Sequence, residues 1–135
     1  MTNPIFYTAS QACAKIYDRS LTVEAYAKSL LSYISIRDVT VNAWAYVNTD
    51  QVLEHARELD LLPRERRGPL HGIPVGVKDV LLTKDMPTQY NSPIYEDDEP
   101  KVDAAVVKML RSAGALLIGM HRATTFWQRL LIDVP

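Results

Sequence analysis

The chain has 135 residues, of which 47% are hydrophobic and 23% are charged, and its formal net charge is -1. This ordinary composition excludes a disordered tail, a collagen-like repeat and a charged low-complexity segment. Because 15 Lys and Arg residues face 16 Asp and Glu residues, no basic excess is present to hold a phosphate backbone, and we expect no nucleic-acid partner.

We expect no targeting signal at the amino terminus. It lacks the basic start and apolar run of a signal peptide, and no stretch approaches the length of a membrane span without a charge. The only cysteine, Cys13, has no partner for an internal disulfide and is expected on the apolar face of a helix. We therefore expect a soluble, cytoplasmic protein with no membrane partner and no metal or cofactor.

The first half of the chain is predicted to form helices around one short strand. A weak helix is expected at Ala9–Tyr17, and Thr22 is predicted to cap an amphipathic helix of about 15 residues with Glu24 in its first turn. Alternating residues at Val41–Val47 predict a half-buried strand. Thr49-Asp50 is then predicted to cap another amphipathic helix.

The spacing of apolar residues changes in the second half of the chain. After a loop at Leu62–Gly68, the apolar run in GIPVGVKD predicts a buried strand, and Thr83–Pro100 reads as a long structured loop. Asp103 is predicted to cap a helix that Gly114 ends, and Leu116–Ile118 predicts a second apolar strand. The inner face of that helix is predicted to carry Ala105, Val106, Met109, Leu110 and Ala113.

Two apolar strands joined by a helix predict a βαβ unit with a parallel sheet that is covered on both faces. Two parallel strands do not complete such a sheet, so the sequence reads as the opening part of a larger α/β domain. The open edge of the sheet is expected to allow self-association with other copies of the chain.

Lys78 is the main candidate for chemistry. It follows the first apolar strand at its carboxyl end, which is where open parallel α/β sheets bind ligands. Burial there would lower the pKa of the amine and make it a general base for a serine hydroxyl. The residue chemistry alone favours the simpler alternative, a charged lysine paired with Asp79.

Other motifs give weaker signals. The segment Gly72–Lys78 differs from a phosphate-binding P-loop in its spacing, and Asp79 stands where the magnesium-binding Ser or Thr belongs. The three histidines, His55, His71 and His121, are not at metal-ligand spacing. No Gly-x-Ser-x-Gly nucleophile motif occurs, Ser92 is expected to serve a turn, and Ser112 is expected to be exposed on a helix.

Three blocks of sequence, GPLHGIPVGVKD, TKDMPTQYNSPIY and DAAVVKMLRSAGALLIG, occur in this order. Together they resemble the amino-terminal part of the amidase signature family of serine hydrolases, over roughly Leu21–Gly119. The resemblance implies that the α/β chain is part of an incomplete α/β/α amidase-type fold. It also implies hydrolysis of carboxamide substrates by a Ser–cis-Ser–Lys triad, whose lysine corresponds to Lys78.

The chain also departs from the family. The Gly/Ser-rich segment that supplies both serines and the oxyanion hole does not occur in the 135 residues. Gly119-Met120-His121 and Thr124-Thr125-Phe126 replace the family's Gly-Lys-Thr and Thr-Glu-Phe, and the sequence from Trp127 onward does not resemble it. We therefore predict an amidase portion at 1–119 and a divergent tail at 120–135.

Two functional hypotheses follow. The first is a truncated amidase-family hydrolase that carries Lys78 but lacks the serines, acts on a small amide at the level of the family, and is inactive alone. The alternative is a non-catalytic, amidase-derived binding or regulatory module. A Gly/Ser-rich segment encoded downstream would favour the first.

Overall fold

Four α-helices and three β-strands alternate along residues 3–96 and 98–122, the part of the chain that the computed structural model describes. In chain order they are α1 (Ala9–Tyr17), α2 (Val23–Val41), β1 (Trp44–Tyr46), α3 (Thr49–Leu61), β2 (Pro74–Lys78), α4 (Ala105–Ser112) and β3 (Leu116–His121). Short 3-10 helices lie at Pro4–Phe6, Arg64–Arg66 and Pro93–Tyr95.

The three strands form one sheet in the order β1-β3-β2. β2 and β3 are parallel, and α4 lies between them in sequence, so the predicted βαβ unit is confirmed. The register begins where Leu116 donates its N–H to the carbonyl of Ile73 at 2.9 Å. β1 pairs antiparallel with β3 on the other side, which leaves β2 as an edge strand in the described sheet.

Two apolar clusters cover the two faces of the sheet. Helices α1, α2 and α3 pack with Ile73, Leu116 and Ile118 on one face. On the other face, Val107 of α4 joins the strand residues Val77, Leu117 and Met120 and the loop residue Met86. This layering confirms the predicted α/β class with amino-terminal helices before a βαβ unit.

Helix α2 begins as the sequence predicts. The Thr22 hydroxyl accepts the N–H of Ala25 at 3.1 Å, and Glu24 lies in the first turn. The helix is longer than predicted, at 19 residues, and ends at Asn42, which adopts a left-handed φ of 53°. Asp38 accepts the N–H of Ala43 at 2.7 Å beside this end. The predicted strand at 41–47 therefore shortens to β1.

Two predicted helix caps are wrong. Asn48, not Thr49-Asp50, caps α3, because its side chain accepts the N–H of Gln51 at 3.1 Å. Asp103 does not cap α4, whose N-cap is Ala104 without a side-chain hydrogen bond. The Asp103 carboxylate accepts the N–H of Lys84 at 2.9 Å instead.

The predicted inner face of α4 is also wrong. Val107 is fully buried, whereas Val106 is 45% exposed and Met109 is 72% exposed. Arg111 shares the inward face with Val107, because its guanidinium pairs with Asp85 at 2.5 Å and approaches Asp103 at 3.1 Å. The face of α4 that the apolar spacing indicated is therefore not the one packed against the sheet. The predicted end at Gly114 is confirmed by its φ of 86°.

Candidate functional site

Lys78 lies where the sequence predicts, at the carboxyl end of β2. Its Cα partner in β3 is His121, so both parallel strands end at the same edge of the sheet. Strand alternation places Lys78 on the face opposite the buried Val77. The lysine is half-buried, which is less than the substantial burial we expected.

Asp79 follows directly and is only 1% exposed. Its N–H donates to the carbonyl of His121 at 2.9 Å, which extends the strand pairing by one residue. Its carboxylate oxygens accept the backbone N–H groups of Gln89 at 2.6 Å and Asn91 at 3.0 Å. The carboxylate therefore holds a distant loop, a contact that the simple Lys78–Asp79 alternative did not include.

The loop that Asp79 holds contains a tight turn at residues 89–92. Ser92 donates its N–H to the carbonyl of Gln89 at 2.9 Å, and both central residues have positive φ, 54° at Tyr90 and 53° at Asn91. These values are those of a type I′ turn. The Ser92 hydroxyl accepts the N–H of Ile94 at 3.4 Å, which agrees with its predicted role in a turn.

A polar cleft of about 260 Å³ lies between this turn and the edge of the sheet. It brings an acidic residue, Glu96, and a basic residue, Arg122, to the same opening, and both are exposed. The cleft is lined by Ala45, Asp79, Gln89, Asn91, Ser92, Pro93, Glu96 and Arg122. Its lining is mostly polar, from the turn residues Gln89, Asn91 and Ser92 to the charged side chains at the opening.

His121 covers part of the neighbouring strand. Its ring lies 4.7 Å from that of Trp44, with the planes tilted by 55°. A Cβ atom at Gly76 would overlap the His121 imidazole. The segment Pro74–Lys78 forms a strand, with a register irregularity against β3 between Val75 and Gly76, rather than a phosphate-binding loop.

His71 occupies the predicted turn before β2 but is more buried than a loop histidine usually is, at 5% exposure. Burial lowers the pKa of its imidazole, the positive charge of Arg67 lowers it further, and Asp60 opposes both. Neither ring nitrogen has a hydrogen-bond partner among the described residues. The group is therefore held in its neutral form within the core.

The remaining candidates stay apart from this edge. Cys13 packs partly buried against the helical core, and Ser112 is exposed at the end of α4, as expected. His55 lines a separate cavity beside α3 and is half-buried rather than exposed. Within residues 3–96 and 98–122, no three His, Cys, Asp or Glu side chains are grouped so that they could hold a metal ion.

Sequence reasoning missed the role of Asp79. The available signal was an acidic residue directly after a buried strand, followed ten residues later by a segment rich in turn-forming residues, Gln89-Tyr90-Asn91-Ser92-Pro93. The positive φ of Tyr90 gave no sequence signal, because tyrosine is uncommon in that conformation.

The predicted division at residue 119 falls inside β3, which continues through Met120 and His121. The rest of the predicted tail, 123–135, lies outside the described residues. None of the helices in the described ranges combines the length and apolar character that crossing a bilayer requires.

Comparison with known proteins gives consistent matches. A family model described as Amidase matches residues 25–129. The glutamyl-tRNA(Gln) amidotransferase A-subunit of Acidothermus cellulolyticus is 39% identical over 128 residues, which cover 93% of this chain and 25% of the relative. The putative amidase AmiD of Mycobacterium tuberculosis is 39% identical over 106 residues, which cover 77% of this chain and 22% of the relative.

Solved structures agree. The peptide amidase of Stenotrophomonas maltophilia superposes with a TM-score of 0.79 at 30% identity, over 86% of this chain and 24% of that one. An amidase family protein of Bacillus anthracis superposes with a TM-score of 0.79 at 30% identity, over 87% of this chain and 24% of that one. The fold thus matches an amino-terminal part of the amidase-type α/β fold, and the chain spans about a quarter of the length of the relatives it matches.

Proposed function

Because the chain belongs to the amidase family, we propose that it contributes the proton-accepting lysine, Lys78, to a site that hydrolyses carboxamide C–N bonds. The observation that carries the proposal is the place of Lys78, at the carboxyl end of a parallel strand, next to the residue that lines the polar cleft. Both features lie inside the segment that matches the family. The substrate class that fits is a small carboxamide.

In this chemistry a serine hydroxyl attacks the carbonyl carbon, and its proton passes through a second serine to the neutral amine of Lys78. The C–N bond breaks when the lysine returns that proton to the leaving nitrogen, and water then releases the acyl group from the serine. Lysine suits the role better than arginine because a guanidinium stays protonated in proteins and cannot accept a proton.

The 135 residues contain the lysine but no Gly/Ser-rich segment to supply the serines and the oxyanion hole. We therefore propose that these 135 residues alone do not hydrolyse amides. The cytoplasmic location expected from the single cysteine stays a prediction.

A hybrid enzyme tests the proposal. Residues 1–122 replace the matching segment of the Stenotrophomonas peptide amidase, and turnover of a chromogenic anilide is followed beside the isolated 135-residue chain. We expect activity only in the hybrid, and loss of about 10²-fold or more in both Lys78→Ala and Lys78→Arg. Lys84→Ala, which changes an exposed lysine in the loop after β2, is the matched control and should retain activity.

Two results would contradict the proposal: a hybrid that keeps its rate in Lys78→Ala, or amide hydrolysis by the isolated chain. An inactive hybrid, together with tight binding of the isolated chain to an intact relative, would favour the alternative of a non-catalytic binding or regulatory module.

A further inference from the structure

The buried carboxylate of Asp79 is satisfied by backbone groups of a segment ten residues away. An ionised carboxylate with 1% exposure is costly unless hydrogen bonds replace its water. Here the N–H groups of Gln89 and Asn91 donate to its two oxygens at 2.6 and 3.0 Å. We call this arrangement the Asp79 clamp. Hydrogen bonds to a charged acceptor are about twice as strong as neutral ones, so the clamp holds its loop firmly.

The turn that the clamp holds is one that its own sequence disfavours. Tyr90 has a φ of 54°, a left-handed conformation that is strained for a side chain with a Cβ atom. Asn91, at 53°, tolerates the conformation much better. The N–H donors of the clamp flank Tyr90 on both sides, so the clamp opposes the strain at the residue that carries it.

The clamp also fixes the turn relative to Lys78. Asp79 is covalently bonded to the lysine, and its own N–H is bonded to the carbonyl of His121 in β3. The turn in return supplies Gln89, Asn91 and Ser92 to the wall of the polar cleft. Asp79 therefore links the cleft wall to the end of β2, alongside the buried Thr88, whose hydroxyl donates to the carbonyl of Leu81 at 3.2 Å.

We propose that Asp79 is a positioning residue that holds the Gln89–Ser92 turn as a fixed wall of the cleft beside Lys78. Its importance for amide hydrolysis rests on the proposed function, but the positioning itself can be measured without any activity. The competing explanation is that Asp79 only adds global stability, as any satisfied buried carboxylate does.

Hydrogen exchange resolved to single amides, measured on the full 135-residue chain, separates the two explanations. In Asp79→Asn one side-chain oxygen becomes an NH₂ group, which cannot accept, so one of the two backbone donors loses its partner. We expect exchange at the Ser92 amide, which closes the turn, to accelerate about tenfold or more relative to the unmodified chain.

A matched control and a rescue variant sharpen the test. Asp60→Asn changes a carboxylate that likewise accepts two backbone N–H groups, those of Val23 and Glu24, but far from the turn, and should leave Ser92 exchange unchanged relative to other core amides. Tyr90→Gly removes the strain, because glycine adopts positive φ freely. Added to Asp79→Asn, it should restore at least half of the lost Ser92 protection on a logarithmic scale.

The proposal is overturned if Ser92 exchange in Asp79→Asn stays within about twofold of the unmodified chain, given the tenfold change expected from a lost charged hydrogen bond. It is also overturned if exchange accelerates equally at Ser92 and at Val23, or if Tyr90→Gly rescues nothing. Failure of the Lys78 experiment would leave each of these readouts unaffected, so the two proposals fail separately.

Discussion

Gly68 lies so close to the backbone of Ala113 that a Cβ atom at position 68 would overlap the Ala113 carbonyl group. The same carbonyl oxygen accepts the N–H of Leu70 at 2.8 Å. Two independent features therefore allow the segment before β2 to lie against the end of α4. Position 68 has no side chain, and Leu70 is hydrogen-bonded to Ala113. This contact brings the beginning of β2 beside the beginning of β3.

Gly68→Ala should destabilise the fold, because the new methyl group meets backbone that cannot rotate away. We expect a loss of about 1–3 kcal/mol in the free energy of unfolding, measured by urea denaturation. Gly76→Ala is the informative comparison, since its Cβ would meet the side chains of His121, which is exposed, and Trp44 rather than backbone. Equal losses in the two variants would contradict this interpretation of the contact.

A second prediction concerns the beginning of α2. Asp60, near the end of α3, accepts the N–H groups of Val23 at 2.8 Å and Glu24 at 3.0 Å, two donors that a helix leaves without partners of its own. Asp60→Ala should lower the free energy of unfolding by about 1–3 kcal/mol. Glu58→Ala, at an exposed position on the same helix, should change it by less than about 0.5 kcal/mol. A similar loss in both variants would show that the contact contributes nothing specific.

Features with local causes were predictable from the sequence. Thr22 and Gly114 mark helix ends through their own hydrogen bonding and backbone freedom, and both are confirmed. The unalternating apolar runs before Lys78 and after Ala115 identified β2 and β3 and their parallel pairing. The parallel pairing alone predicted which edge of the sheet carries Lys78.

Features with distant causes were not predictable. The contact between Asp60 and Val23 joins residues 37 apart in sequence, and no local pattern announces it. The ion pair between Arg111 of α4 and Asp85 joins residues 26 apart, and the apolar spacing of the helix did not indicate it. The Asp79 clamp is also a feature with a distant cause, because it depends on where the strained Gln89–Ser92 turn approaches the sheet.

In the hybrid enzyme, Asp79→Asn should weaken substrate binding more than it slows the chemical step. A loosened cleft wall no longer holds the substrate in one orientation, whereas Lys78 stays on β2. We expect KM to rise about tenfold and kcat to fall less than about threefold, as measured by initial rates on the anilide. Asp60→Asn should leave both constants near those of the parent hybrid. A fall in kcat with unchanged KM would instead assign Asp79 a role in the chemistry.

Stability should depend on pH through His71. Burial and the charge of Arg67 lower its pKa in the folded state, against the opposing charge of Asp60, so the unfolded chain binds more protons. The free energy of unfolding therefore rises with pH. The contribution of neutral His71 is fully present above the unfolded pKa of about 6.5, and it is lost as pH falls from there toward the lowered folded pKa. Thermal unfolding between pH 8 and 5 should show this loss, His71→Gln should flatten it, and His55→Gln should retain it. An unchanged slope in His71→Gln would assign the pH dependence elsewhere.

Self-association should proceed through the edge of β2. This strand lies at one end of the β1-β3-β2 order, with β1 at the other, so within the described sheet it has a neighbouring strand on one side only, and such edges pair with other chains. The apolar outer side of α4, with Met109 72% exposed, offers a competing surface. Hydrogen exchange at rising protein concentration separates them, because strand pairing protects backbone amides of residues 75–78, whereas side-chain contacts on a helix leave the exchange of its already bonded amides nearly unchanged. We expect protection of β2 to increase with concentration, in parallel with the mass measured by analytical ultracentrifugation. A rise in mass without added protection at 75–78, abolished by Met109→Lys, would assign the contact to α4 instead.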